Sequence, residues 1–416
     1  MERPLPLNWL DLLYIPVAAA YSPSLLRKKR GGWRERFGGT EPLPPKKRPR
    51  VLLHAVSVGE VNSLRTLVPQ LVEHAEVVVS ATTDTGIERA RALFGSTCRV
   101  VRYPLDLSGA VRRFFDAVAP DAVALVELEV WPNFVREAGR REVPIGVING
   151  RLSARSSRGY RRIRRWLAPV FGALEFAAVQ DETYARRFLE MGVRPDRCRV
   201  TGSMKWDAAG LPSDGPSPDA LRLAEELGLD RSRPLIVAGS TAEGEEALIR
   251  AATPEGVQLL CAPRKPERFG EAAAALPGCV RRSSRAPGGP GARWFLLDTI
   301  GELGLACQLA DLVVMGRTFV PLGGSDPIEP IALGKPTLVG PEVANFASIV
   351  SAFGADDAIV RTTRDRLAAD LARLMEDADE RERLRRAGLA CIESHRGASG
   401  RHADLLRALL LTRPAR

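Results

Sequence analysis

Val51-Leu52-Leu53-His54-Ala55-Val56-Ser57-Val58-Gly59-Glu60 carries a strand, a tight turn and the start of a helix in one stretch. The unbroken apolar run suits a strand buried on both faces, and the Ser-x-Gly turn redirects the chain toward a helix beginning near Glu60. The pattern recurs outward from there. Val77–Ala81, Ala122–Val126, Pro144–Ile148 and Ala177–Val179 are short apolar runs, separated by helical stretches such as Gly86–Phe94 and Ser108–Ala119. Short buried strands alternating with helices predict a parallel sheet covered on both faces.

Ala208–Asp219 holds three prolines, two glycines and two serines and reads as a hinge. Beyond it the pattern restarts. Pro234–Ala238 runs into Gly239-Ser240-Thr241, Val257–Cys261 into Ala262-Pro263-Arg264, Asp311–Met315 into Gly316, and Pro336–Val339 into Gly340. Residues 363–412 read as charged helix. The expected architecture is α/β, with two doubly wound Rossmann-like domains and a ligand cleft between them at the carboxyl ends of the strands. The expected boundaries are an N-terminal segment over 1–40, a first domain over 41–210, and a second over 211–416 that includes the C-terminal helices.

With 45% apolar and 26% charged residues, the 416-residue chain is not a disordered one. The net charge of +10 is unevenly placed: residues 1–50 hold eleven Lys and Arg against four Asp and Glu. That excess selects anionic partners. Residues 7–21 are apolar but too short for a span of about 20 residues, and Asp11 and Pro16 interrupt them. Trp9, Tyr14 and Tyr21 suit the headgroup level, and Arg27-Lys28-Lys29-Arg30 follows. The segment therefore reads as lying in a membrane interface beside a polybasic stripe that faces anionic lipid from the cytoplasmic side. A helix packed on its own domain is the alternative. The six cysteines (98, 198, 261, 279, 307 and 391) include no Cys-x-x-Cys pair and do not cluster with the four histidines, which argues against zinc and against a disulfide framework.

Glu60 falls near a strand's carboxyl end, where its carboxylate can take a proton from an attacking hydroxyl; the competing role is helix capping. Glu127 and Glu129 follow the third apolar run and face one way if the chain stays extended. Residues 151–166 contain seven arginines and no acid, beginning at Arg151. Arginine forks suit a phosphorylated lipid; with only Tyr160 and Trp166 as aromatics, nucleic acid fits less well. In the second half, Gly239–Glu245 offers amides for an oxyanion, Arg264 and Lys265 suit a nucleotide phosphate, and Gly323–Pro330 is a glycine-rich loop leading to acids.

Together these segments resemble the Kdo transferases, the family-30 glycosyltransferases of lipopolysaccharide synthesis. The likeness runs from Trp33-Arg34-Glu35-Arg36-Phe37-Gly38 through His54–Glu60, Thr83–Gly86, Tyr103–Asp106, Glu127–Asn133, Asn149–Ser153, Thr201–Asp207 and Gly239–Glu246. Asp298–Leu303 and Asp326–Pro330 complete it. The resemblance implies a GT-B fold and a metal-independent, inverting transfer of Kdo from CMP-Kdo to a lipid A precursor, without a cofactor, at the cytoplasmic face of the inner membrane. It implies that Glu60 is the general base, with acceptor contacts expected on Ser57, Gly59, Glu127, Glu129 and Arg151. By position, CMP contacts fall on Pro263 and Arg264, on Ile300, Gly301 and Glu302, and on Asp326, Pro327, Ile328 and Glu329.

The chain departs from the family at Lys265, where His is usual, at Ser325-Asp326, where His-Asn is usual, and at Arg317, where a small residue is more common. Two other readings are a GT-B enzyme using a UDP-sugar on a lipid acceptor, and a non-catalytic relative that binds anionic lipid.

Overall fold

Every residue of strand β1 (Arg50–Ala55) is buried, as an unbroken apolar run in a doubly covered sheet requires. The computed structural model describes residues 11, 12, 14, 31–208 and 215–411. Among these the chain forms two compact units: one runs to Ala208 and resumes at Arg396, and the other lies between. Most of the expected interfacial segment, including Trp9, Tyr21 and Arg27–Arg30, lies outside the described residues, as do residues 209–214 of the expected hinge. Among the described residues no helix is long and apolar enough to cross a membrane.

The first unit holds a seven-stranded sheet of order β3-β2-β1-β4-β5-β6-β7. Its members are β1, β2 (Glu76–Ala81), β3 (Arg99–Arg102), β4 (Ala122–Val126), β5 (Ile145–Gly150), β6 (Phe176–Val179) and β7 (Cys198–Val200), all paired in parallel. Side chains alternate between two apolar layers. Leu52, Val78, Val123 and Val147 pack on one face with Phe114, Phe115 and Phe134; Val51, Leu53, Val79, Val126 and Ile148 pack on the other. The strand order reverses between β1 and β4, and the crevice beyond such a switch point is where doubly wound sheets bind ligands. The loops after these two strands carry Ser57–Glu60 and Glu127–Trp131.

Helices α1 (Val58–Ser63), α2 (Asp84–Phe94), α3 (Ser108–Val118), α4 (Pro132–Arg140), α5 (Ala154–Arg162) and α6 (Arg164–Gly172) cover this sheet. Helix α1 starts two residues before the expected point, so Glu60 stands in its first turn. Thr83 and Ser153 cap α2 and α5 by accepting from Gly86 N and Ser156 N.

The second unit repeats the plan. Its sheet, of order β10-β11-β9-β8-β12-β13-β14, is also parallel. The strands are β8 (Leu235–Thr241), β9 (Gln258–Pro263), β10 (Val280–Arg281), β11 (Trp294–Leu296), β12 (Leu312–Met315), β13 (Thr337–Val339) and β14 (Val360–Arg361). The order turns between β8 and β12, so their loops flank this unit's own switch point. Its helices include α7 (Glu245–Ala252), α8 (Leu303–Leu309) and α9 (Ala378–His395).

The expected second domain over 211–416 needs one correction: the last helix, α10 (Ala398–Leu411), belongs to the first unit. Its Ala398, Ala403 and Leu406 enter the apolar layer under β1 and β4. His402 is fully buried there. Its Nδ1 donates to Ala398 O at 2.5 Å, which leaves Nε2 to accept from Asn149 N at 2.8 Å, with Thr201 Oγ1 3.2 Å away. Asp207 caps the helix, accepting from Gly397 N at 2.6 Å and Ser399 N at 2.5 Å. Asp207→Ala is expected to cost about 1 kcal/mol by loss of this cap, read as a lower urea midpoint at unchanged slope.

Candidate active site

The turn after β1 builds its own carboxylate site. Ser57 precedes α1, and Glu60 reaches back from the first turn to accept from Val56 N at 2.7 Å and Ser57 Oγ at 3.0 Å. Ser57 accepts from no helix amide, so the reciprocal bonds of a capping box are not made, and the carboxylate instead ties down the turn that precedes α1. The same carboxyl is pushed up to about 7 by burial, against its bonds to Val56 and Ser57 and with the charges of Glu127 and Glu129 adding to the shift. Gly59 is exposed, and a Cβ there would meet only Ser57 Oγ at 3.9 Å. Packing within the protein therefore makes no demand for glycine at this position.

The loop after β4 does not stay extended, which corrects the expectation for the two glutamates. Glu127 has φ 60, a left-handed conformation costly for a residue with a Cβ. It is held by Glu127 N donating to Ile148 O at 3.0 Å and Arg151 N donating to Glu127 O at 3.3 Å. The kinked loop gives the two side chains different partners. Glu127 faces Arg151 at 3.9 Å, while Glu129 accepts from the indole of the exposed Trp131 at 2.7 Å. Burial raises both carboxyls; Arg151 and Lys205 oppose this at Glu127, and the Trp131 bond opposes it at Glu129. Ser57, Glu60, Glu127, Glu129 and Arg151 thus belong to adjoining loops of one switch point.

Three neighbours escape a reading of the sequence. His54 is fully buried, donates or accepts through Nδ1 with Ser80 Oγ at 3.0 Å, stacks on Tyr103 at 3.6 Å between ring centroids, and is pushed down to about 3 by burial. It is a neutral packing residue. Asp106 is lifted to about 7 by burial, although Tyr14, Asn133 N and Phe134 N all donate to it. Tyr103 is the third, its hydroxyl buried without a partner among the described residues. His54 falls in the His54–Glu60 stretch and the other two in the Tyr103–Asp106 motif, neither of which assigns these roles.

In the second unit, Pro263 ends β9 and Arg264 is exposed, anchored by its amide to Thr241 O at 3.0 Å. Ile300 is exposed and Gly301 has φ 97. Glu302 precedes α8, with its carboxylate taken by Thr299 Oγ1 and by Arg282 at 3.1 Å. Its backbone, not its side chain, is what this segment offers. Asp326 accepts from Ile328 N at 3.2 Å, Pro327 and Ile328 are buried, and Glu329 is exposed. A Cβ on Gly304 would come within 2.8 Å of Glu329 Oε1, so the Ile300–Glu302 and Asp326–Glu329 segments meet at the start of α8.

The Gly239–Glu245 turn differs from the expected oxyanion cradle. Its Ala242 amide is already bonded to Glu245 Oε2 at 2.8 Å. Glu245, fully buried, also accepts from Arg317 N at 2.6 Å and Phe319 N at 2.9 Å. One carboxylate thus fastens the loop after β12 to the loop after β8. Two non-glycine residues here are in the left-handed region, Ser240 near the end of β8 at φ 58 and Arg317 in the loop after β12 at φ 61.

Comparison with known proteins fits this frame. The family model described as 3-deoxy-D-manno-octulosonic-acid transferase (kdotransferase) matches residues 31–208. The 3-deoxy-D-manno-octulosonic acid transferase of Haemophilus influenzae is 31% identical over 96% of each chain. That of Bordetella pertussis is 34% identical over 91% of this chain and 93% of its own. Among solved structures, a UDP-N-acetylglucosamine 2-epimerase superposes with TM-score 0.61 at 16% identity over 89% of this chain and 98% of its own, a likeness of fold alone. With the two parallel sheets, that likeness marks the GT-B architecture. By its full-length identity to these transferases, the chain belongs to the 3-deoxy-D-manno-octulosonic acid transferase family of glycosyltransferases.

Proposed function

We propose that this protein transfers Kdo from CMP-Kdo to a lipid A precursor, with inversion at the anomeric carbon and without a metal ion. The observation that carries the reading is Glu60: a carboxylate at the first unit's switch point, oriented by Val56 N and Ser57 Oγ, with its pKa raised to about 7. A base with that pKa is half ionised at neutral pH and still holds a proton well, which suits removal of a hydroxyl proton. In the step, an acceptor O–H gives its proton to Glu60 as its oxygen bonds the anomeric carbon. The bond from that carbon to the phosphate oxygen breaks, and CMP leaves with the electron pair. Attack from the face opposite the leaving group gives inversion.

Ser57, Gly59, Glu127, Glu129 and Arg151 contact the acceptor in this reading. Pro263, Arg264, Ile300–Glu302 and Asp326–Glu329 receive CMP. The Arg264 guanidinium and backbone amides offset the charge that develops on the departing phosphate, the role a metal plays elsewhere. Glu329 and Asp326 suit ribose hydroxyls. The exposed Ile163 and Trp166, with the exposed arginines at 161, 162, 164 and 165, suit an anionic membrane surface at the cytoplasmic face of the inner membrane. No nucleic acid is assigned.

Two tests bear on the finer claims. Transfer from fresh CMP-Kdo is expected to persist in excess EDTA; loss of turnover restored by one divalent cation would overturn the metal-free step. The rate constant is expected to fall below pH 7, about tenfold per unit, as Glu60 takes up its proton. A profile flat from pH 5 to 8 would remove Glu60 as the base.

A further inference from the structure

Asp11 belongs to the stretch whose sequence suits a membrane interface, yet it is only 2% exposed. A buried carboxylate needs partners, and Asp11 has them at two helix starts. Oδ1 accepts from Ser108 N at 2.9 Å and from Asn133 Nδ2 at 3.0 Å, and Oδ2 accepts from Ser108 Oγ at 2.5 Å. Ser108 opens α3, and Asn133 stands in the first turn of α4. Tyr14 adds a second tie: its hydroxyl donates to Asp106 Oδ2 at 2.7 Å. Asp106 in turn accepts from Asn133 N at 3.0 Å and Phe134 N at 2.8 Å, and its carbonyl accepts from Asn133 Nδ2 at 2.5 Å.

The α4 start that these bonds hold is the far end of the Glu127–Trp131 loop. Trp131 immediately precedes Pro132, and its indole fixes Glu129. We propose that Asp11 and Tyr14 are positioning residues for this loop, so that the N-terminal segment shapes the acceptor site in addition to any role at a membrane. The inference rests on the acceptor role proposed above for Glu129 and Glu127. It separates two functions that a single anchor segment otherwise merges.

The test uses the full chain carrying Asp11→Asn, which keeps the shape but loses one acceptor oxygen, and separately Tyr14→Phe. Hydrogen exchange is followed across residues 127–137. Kinetics are measured with the acceptor in detergent micelles and in anionic phospholipid vesicles, alongside vesicle co-sedimentation. Loss of a hydrogen bond to a charged group corresponds to about 10-fold or more in an equilibrium. The expected result is faster exchange in 127–137 and an acceptor KM raised about 10-fold in micelles as well as vesicles, with donor KM and co-sedimentation unchanged. Wild-type exchange in both variants would overturn the inference. So would a KM effect confined to vesicles and matched by lost co-sedimentation, the signature of an anchor alone. A wild type without turnover would sink the proposed reaction, and the exchange arm would still decide this point.

Discussion

Glu60→Gln is expected to lower kcat by about 10²- to 10⁴-fold, the range over which a positioned base contributes, while leaving the KM for the sugar donor within about twofold. Glutamine keeps the volume and can still accept one of the two bonds from Val56 N and Ser57 Oγ, so the turn survives. The stability change runs the other way. The folded pKa of Glu60, about 7, lies above its ordinary value of 4.5. Such a group favours the folded state when protonated, so its ionisation costs stability progressively as pH rises from 4.5 toward 7 and fully above it. The variant carries no such cost. It is expected to melt above the wild type at about pH 8, with the gap closing as the pH drops toward 4.5. A Gln variant that melts lower there would mean that the bond lost from Val56 N or Ser57 Oγ outweighs the relieved burial.

Glu245→Ala is expected to be the most destabilising change in the second unit, on the order of 3 kcal/mol or more. It strands three amides at once: the buried Ala242 N and Phe319 N and the part-buried Arg317 N. Each orphaned buried donor costs roughly 1–3 kcal/mol unless water reaches it. The loss also releases the amide of Arg317, which is held in the left-handed region at φ 61. Since Arg317 O accepts from Gly324 N at 2.9 Å, the disturbance extends to the glycine-rich loop before Asp326. Urea unfolding followed by circular dichroism checks the stability. Calorimetric titration with CMP checks the loop and is expected to show an affinity at least about tenfold weaker. Wild-type stability with wild-type CMP binding would contradict the role assigned to Glu245.

The central strands of both sheets are legible in the amino-acid sequence. Runs such as Leu52–Val56 and Leu312–Met315 suit only doubly covered strands, because nothing charged interrupts them for either face. Among the strands absent from that reading, β11 is apolar but only three residues long, and the others have the opposite character. Strand β3 begins and ends on arginine, β7 is an edge of three residues with Arg199 at its centre, and β10 and β14 are two residues long. Their pairing comes from the neighbouring strand rather than from their own pattern. The return of α10 to the first unit is equally hidden. An apolar stripe of Ala398, Ala403 and Leu406 fits either sheet, and only His402 meeting Asn149 N and Asp207 capping the helix choose between them. At the site, Glu60 is readable because the strand, the Ser-x-Gly turn and the glutamate lie within one short stretch. The kink at Glu127, the Glu245 clamp and the Asp11–Asn133 bond depend on partners 21 to 122 residues away, and sequence spacing carries no trace of them.

The most direct test of the proposed reaction is a single incubation of the purified full chain with freshly generated CMP-Kdo and a tetra-acylated lipid A precursor, followed by mass spectrometry of the lipid and quantitation of CMP. The account predicts lipid carrying Kdo, CMP released in equal amount, and neither product from Glu60→Gln beyond trace. Intact CMP-Kdo alongside consumption of a UDP-sugar offered in parallel would contradict it.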